Sequence, residues 1–233
     1  MSYVLHYAPD NASLIIRLAL EEMGVPYRTA LVDRRRDAQR APEYLALNPN
    51  GLIPVLETEH GAIFETGAIL LWLADRHGQM APAPDHPDRG ALLKWLFFVS
   101  NTLHADLRMT FYPHLYAGTD TARQDAMRGV LRGRITGHLA ILDELFASQP
   151  AWLGGAVPSI LEVYLACCLR WLALYPTETD RSWFSLAGTP HLQACLLRLE
   201  QRPAVQAARE AEGLGVTPFT APRHPHPPEG SAT

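Results

Sequence analysis

Lysine is almost missing from this chain: Lys94 stands alone among 20 basic residues, and the rest are arginine. Arginine suits carboxylate recognition, although the base composition of a genome accounts for such a bias equally well. A formal net charge of −4 leaves no basic surplus, which removes the electrostatic footprint of a nucleic-acid-binding surface. Cysteine is scarce too. Cys167, Cys168 and Cys195 are odd in number, two are adjacent, and all lie in apolar stretches. That pattern excludes a disulfide framework and gives no metal-type spacing, so no metal is expected and a reducing compartment fits. Long apolar runs are lacking as well. Segments such as Ala68 to Ala74 fall far short of the roughly 20 residues that span a bilayer. The start of the chain has no basic flank, apolar core and small-residue cleavage site in series. The expectation is a cytoplasmic protein without a membrane partner.

What is present describes an ordinary globular protein. Of 233 residues, 48% are hydrophobic and 19% charged, enough for one large domain or two small ones. Tyr3 to Tyr7 reads as a strand ending in the loop Ala8-Pro9-Asp10-Asn11. Ser13 to Met23 shows the apolar face Leu14, Ile15, Leu18, Ala19, Met23, closed by Gly24 and Pro26. Tyr27 to Val32 is a second strand, Asp33 to Arg40 a charged loop, and Pro42 to Leu47 a short helix. Val55 to Thr58 and Ala62 to Phe64 form a hairpin around Glu59-His60-Gly61, and Thr66 to His77 is a helix stopped by Gly78. The order β-α-β-α-β-β-α gives a mixed sheet with helices, as in the thioredoxin fold.

Pro82, Pro84 and Pro87 mark a linker over residues 80–88. It separates an α/β unit, 1–79, from an all-α unit, 89–216. In the second unit Gly90 to about Leu107 is strongly apolar, and Thr121 to Ala147 carries Met127, Leu131, Ile135, Leu139 and Leu142 at helical spacing. Gly129, Gly133 and Gly137 form a small-residue stripe on that helix, for which close approach of another helix is the expected compensation. Ser159-Ile160-Leu161-Glu162 is a capping box. Pro190 to Gln201 and Pro203 to Glu212 give two more helices, and the Pro-rich segment 217–233 reads as a loosely held tail.

One stretch organises the rest: Asn48-Pro49-Asn50-Gly51-Leu52-Ile53-Pro54-Val55-Leu56. Asn48 to Gly51 is a turn. Pro54 cannot donate to a sheet ladder, so a cis peptide entering an edge strand is the arrangement that wants it. Turn, hydrophobe, Pro, Val, Leu, then Glu65-Thr66 opening a helix, resembles the glutathione-binding half of the cytosolic glutathione S-transferases, bacterial branches in particular. The likeness runs from Tyr3 to about Gly213. It implies a thioredoxin-like unit followed by a helical bundle, and a homodimer.

The site residues follow partly from chemistry and partly from that resemblance. A thiol-disulfide oxidoreductase on this fold carries Cys-x-x-Cys in the loop after the first strand; here the loop is Pro9-Asp10-Asn11-Ala12-Ser13. A related bacterial branch keeps a cysteine where Ala12 stands, which disfavours thiol-based chemistry. Ser13 is either a plain helix-capping residue or a donor to a glutathione thiolate, with the helix N-terminus favouring the anion. Asn11 could take that role through its amide, and Tyr7 is a third candidate. With Pro54 cis, the Ile53 amide and carbonyl can pair with the cysteinyl backbone of glutathione. Thr66 reads as an N-cap, and the resemblance places Glu65 and Thr66 at the γ-glutamyl end. Arg34, Arg35 and Arg36 form a run that is either solvated or meets the glycine carboxylate, Arg35 being the candidate. Asn101, His104, Arg108 and Tyr112, at three- and four-residue intervals, could line an electrophile pocket from one helix face, or form an interhelical set or an exposed face. The resemblance implies glutathione as co-substrate, conjugation to a small hydrophobic electrophile and a role in detoxification. A non-catalytic glutathione-binding or ligand-carrier protein is the alternative, with isomerisation or reductive dehalogenation as further uses of the same cradle.

Overall fold

The computed structural model describes residues 3–231. Strand β1 (Tyr3–Tyr7) is central in a four-stranded sheet of order β2-β1-β3-β4. It pairs in parallel with β2 (Tyr27–Leu31) and antiparallel with β3 (Val55–Thr58), which forms a hairpin with β4 (Gly61–Phe64). A parallel neighbour needs a crossover, which α1 (Ser13–Met23) supplies. The charged loop after β2 folds into two short 3-10 turns, Arg34–Arg36 and Ala38–Arg40, before α2 (Pro42–Leu45). Helix α3 (Thr66–His77) ends at Gly78 in the left-handed conformation. This is the thioredoxin-like unit the element order implies.

Helix α1 is buried on more sides than one apolar stripe requires. Residues from Ser13 to Leu20 are all buried, because the helix is packed against α3, α8 (Ile160–Leu174) and α10 (Pro203–Glu212) as well as the sheet. The remaining helices are α4 (Arg89–Phe98), α5 (His104–Phe111), α6 (His114–Ala117), α7 (Thr121–Ala147) and α9 (Pro190–Glu200). Among the described residues no helix is long and apolar enough to cross a membrane. Helix α8 carries the capping box as its sequence dictates: Ser159 Oγ accepts from the Glu162 amide, and Glu162 accepts from the Ser159 amide at 2.6 Å.

Within the apolar segment from residue 90 a π turn over Val99–Leu103 joins α4 to α5. Two expectations need correction. Gly129, Gly133 and Gly137 meet no neighbouring helix: a methyl at each would enter open space. The Pro-rich tail is not loose over its described residues, 217–231. Phe219 is buried, Glu200 accepts from the Phe219 and Thr220 amides, and Arg170 donates to the Pro218 and Arg223 carbonyls. The tail is short of periodicity, and buried charged side chains serve its main chain: Arg170 on α8 donates to its carbonyls and Glu200 on α9 accepts from its amides.

Candidate active site

A cavity of about 840 Å³ opens between the α1 N-terminus, the turn before β3, the start of α3 and the inner face of α5. The turn is held from behind. Tyr44 Oη and Asn48 Nδ2 both donate to the Leu52 carbonyl, at 2.7 and 2.8 Å. Gly51 takes φ +60°, and a Cβ there would stand 2.8 Å from the Gln39 carbonyl, so the close packing of the two loops requires glycine. The Ile53–Pro54 peptide is cis. Sheet pairing begins at Val55, and among the described residues the Ile53 amide and carbonyl take part in no hydrogen bond of the chain. Ile53 and Pro54 both line the cavity.

The α3 corner lies beside them. Glu65, not Thr66, is the N-cap of α3, and its φ of 72° is a sparsely populated value for a residue with a side chain. Thr66 is the first helical residue and is buried; its N-cap assignment falls because the chain turns from β4 into the helix one residue earlier. Both residues line the cavity, with the free amides of the helix start behind them.

At the start of α1 the expected arrangement is altered. Ser13 is fully buried and absent from the cavity wall. Its hydroxyl donates to the Ala8 carbonyl at 3.0 Å and accepts from the Ala8 amide at 3.3 Å. Both of its polar functions therefore serve the bend after β1, and the side chain does not reach a ligand. Asn11 and Ala12 do line the cavity. Asn11 Oδ1 accepts from the Ala12 amide at 2.8 Å, which leaves Nδ2 as the donor of that side chain. Tyr7 lies outside the cavity; it is buried under Arg17, whose guanidinium carbon stands 4.9 Å from the ring centroid.

The helical wall carries three of the four polar residues expected of it. His104, Arg108 and Tyr112 face the cavity together with Ser100, whereas Asn101 is exposed and points elsewhere. The π turn causes this, because its wider winding breaks the three- and four-residue spacing between residues 101 and 104. His104 Nδ1 lies 2.9 Å from the Tyr164 hydroxyl, and the ring is flanked by Trp171. Burial, aided by the Arg108 charge, pushes His104 down to about 4. At neutral pH it is uncharged. Burial also raises the Tyr164 hydroxyl well above its ordinary value, so at neutral pH Tyr164 keeps its proton and shares one hydrogen bond with the uncharged imidazole. Across the mouth, Arg34 donates to Tyr112 Oη at 3.2 Å and joins the charged loop to the end of α5. Arg34 and Arg40 line the cavity; Arg35 is exposed and turned away, beside Asp33.

Sequence reasoning missed the layer beneath these groups. Asp10 lines the cavity with φ 49° and a fully buried carboxylate, which accepts from Arg170, Trp171 and Tyr175. Its amide donates to Glu212 Oε2 at 2.8 Å, and Glu212 Oε1 accepts from Arg17 at 2.7 Å. One signal was available. Arg170 is the single charged residue in the apolar run from Val163 to Leu174, and a charge on a helix buried all round needs a buried partner.

Residues 12–76 match the N-terminal domain of glutathione S-transferase, and residues 120–207 match its C-terminal domain. The glutathione S-transferase GstB of Escherichia coli is 35% identical over 206 residues, 82% of this chain and 89% of that protein. A second Escherichia coli relative, glutathione S-transferase GstA, is 28% identical over 90% of this chain and 98% of its own. Among solved structures, a sphingomonad glutathione S-transferase complexed with glutathione is similar, with a TM-score of 0.73 at 31% identity, covering 91% of this chain and all of its own. On this sequence likeness and this fold, the chain belongs to the glutathione S-transferase family.

Proposed function

We infer that this chain, a glutathione transferase by family, joins the thiolate of glutathione to an electrophilic carbon of a small second substrate. The observation that carries the reading is the free main chain of Ile53 beside Pro54, opening into a cavity that also holds the α1 and α3 N-termini. In this reading the Ile53 amide and carbonyl pair with the cysteinyl residue. Thr66 and the first amides of α3 take the γ-glutamyl carboxylate, and Glu65 takes its ammonium. Arg34 and Arg40 replace Arg35 as partners of the glycine carboxylate.

The sulfur then lies at the start of α1. There Asn11 Nδ2 donates to it, and the helix terminus lowers the thiol pKa by favouring the anion. Ser13 contributes through the bend it holds. His104, Arg108 and Tyr112 border the space for the electrophile. The acting form is a cytoplasmic homodimer engaged in detoxification.

A carrier that binds glutathione without catalysis is favoured by one observation, the engagement of the Ser13 hydroxyl with Ala8. Two measurements on the same protein separate the readings: calorimetric titration with glutathione, and spectroscopic formation of the thioether from chlorodinitrobenzene. Binding with turnover supports conjugation, and binding without turnover of any electrophile in a varied panel leaves the carrier. No binding at millimolar glutathione removes both.

A further inference from the structure

We propose that the electrophile carries a carboxylate and that Arg108 binds it. This rests on the transferase reading, and it deepens that reading by naming the class of second substrate. The observation is a charge without an opposite charge. Arg108 lines the cavity from α5, one turn beyond His104, and among the described residues it pairs with no Asp or Glu. Its Nε donates to Tyr116 Oη at 3.0 Å, and its guanidinium carbon stands 5.7 Å from the Tyr112 ring centroid. These contacts hold the plane of the guanidinium while leaving its two terminal nitrogens without a hydrogen-bond partner among the described residues.

A fixed planar fork with free N–H groups matches a carboxylate with two parallel hydrogen bonds. The neighbouring groups do not compete for it. His104 is neutral at physiological pH, and the buried charge of Asp10 is met by Arg170. Glu178, at the rim of the same cavity, accepts from the Thr177 hydroxyl at 2.9 Å and forms no ion pair with Arg108. On the inner wall of α5 the surplus is positive, while Phe111, Trp171 and Tyr175 supply an aromatic surround. An aromatic acid with a leaving group on its ring fits both features. Attack of the glutathione sulfur forms the carbon–sulfur bond, and halide departs with the electron pair of the bond it breaks.

The test compares chloronitrobenzoate with its methyl ester, using the wild-type protein, Arg108→Leu and Arg108→Lys. Comparing the acid-to-ester ratio of kcat/KM between the wild type and each variant cancels the intrinsic reactivities of the two compounds. The expected result is that Arg108→Leu lowers this ratio by about tenfold to a hundredfold, the worth of hydrogen bonds between charged groups, and that Arg108→Lys recovers part of it. An unchanged ratio overturns the proposal. A rise in the KM of glutathione that accounts for the whole loss also overturns it, by assigning Arg108 to glutathione itself. If the wild-type protein turns over neither compound, the transferase reading rests on the wider electrophile panel. Calorimetry with the two ready-made S-conjugates then decides the Arg108 proposal: a preference for the carboxylated conjugate that Arg108→Leu abolishes supports it, and equal binding of the two sinks it.

Discussion

Asp10 and Arg170 face each other with no exposed side-chain surface on either, through a two-pronged contact of 2.8 and 3.0 Å. Asp10 sits in the loop that leads into α1, and Arg170 lies deep in α8, so the pair joins the edge of the candidate sulfur site to the helical bundle. Arg170 also donates to the Pro218 and Arg223 carbonyls. One guanidinium thus fastens the active-site loop and the tail together. Removing it strands a buried carboxylate, which costs about 3–5 kcal/mol. Arg170→Leu is expected to lower unfolding free energy in urea by that amount; a loss below about 1 kcal/mol would show the pair to be hydrated and dispensable.

The two neighbours Asn11 and Ser13 are expected to behave differently. Asn11→Ala removes the side-chain donor that faces the cavity and lowers kcat about tenfold, the scale of one hydrogen bond to a charged group, with glutathione affinity little changed. Ser13→Ala leaves the Ala8 amide and carbonyl without their buried partner, so its main effect is a stability loss of about 1–3 kcal/mol. Steady-state kinetics beside thermal melts of both variants check this. A large kcat loss in a fully stable Ser13→Ala protein would reverse the assignment.

Glu65 holds an unfavourable backbone angle at the mouth of the site, a conformation that costs on the order of 1–3 kcal/mol. Glu65→Gly relaxes that angle while losing the carboxylate. The expected outcome is unchanged or raised thermal stability with glutathione affinity weakened roughly tenfold. A variant that binds glutathione as well as the wild type would separate this angle from ligand binding.

His104 gives the fold a pH dependence of definite sign. Its ordinary value of 6.5 drops to about 4 in the folded protein, so between those values the unfolded chain binds the proton first. Stability therefore rises with pH across that window, by at most about 1.4 kcal/mol per unit. Glu212 works the other way: burial raises it from 4.5 to about 7 despite Arg17, so the folded state holds the extra proton and stability falls as pH rises through that range. The two contributions oppose each other in the wild type. His104→Gln should expose the Glu212 slope, seen as stability that declines from pH 4.5 to 7 more steeply than in the unaltered protein. Urea midpoints at several pH values measure it, and parallel profiles for the two proteins would refute it.

Gly213 lies where α10 hands over to the tail, at φ +66°, and a Cβ there would stand 2.0 Å from the His226 carbonyl oxygen. His226 in turn donates its amide to the Gly213 carbonyl at 2.9 Å. Gly213→Ala cannot keep both backbone angle and contact, so it is expected to release residues 217–231. Limited proteolysis should cut that segment in the variant well before it cuts the wild type, and equal cleavage rates would mean that the tail is not held by this contact.

The amino-acid sequence by itself determined the elements and their order, because those depend on neighbours along the chain. The apolar spacing of α1, the glycine stops after α1 and α3, the Ser159–Glu162 box and the turn before Pro54 are each readable within a few residues. The turn, the proline at 54 and the approximate start of α3 were legible for the same reason, although the helix cap proved to be Glu65 and not Thr66. The tertiary structure decided what local pattern cannot hold. It turned the Ser13 hydroxyl onto Ala8, placed Arg34 and Arg40 but not Arg35 on the cavity wall, and kept His104, Arg108 and Tyr112 there while a π turn rotated Asn101 away. It also gathered Asp10, Arg17, Arg170 and Glu212, separated by up to 202 residues, into one buried network. Burial makes each such charge costly unless it is paired, and the free energy of that pairing exists only once the helices have closed over the groups.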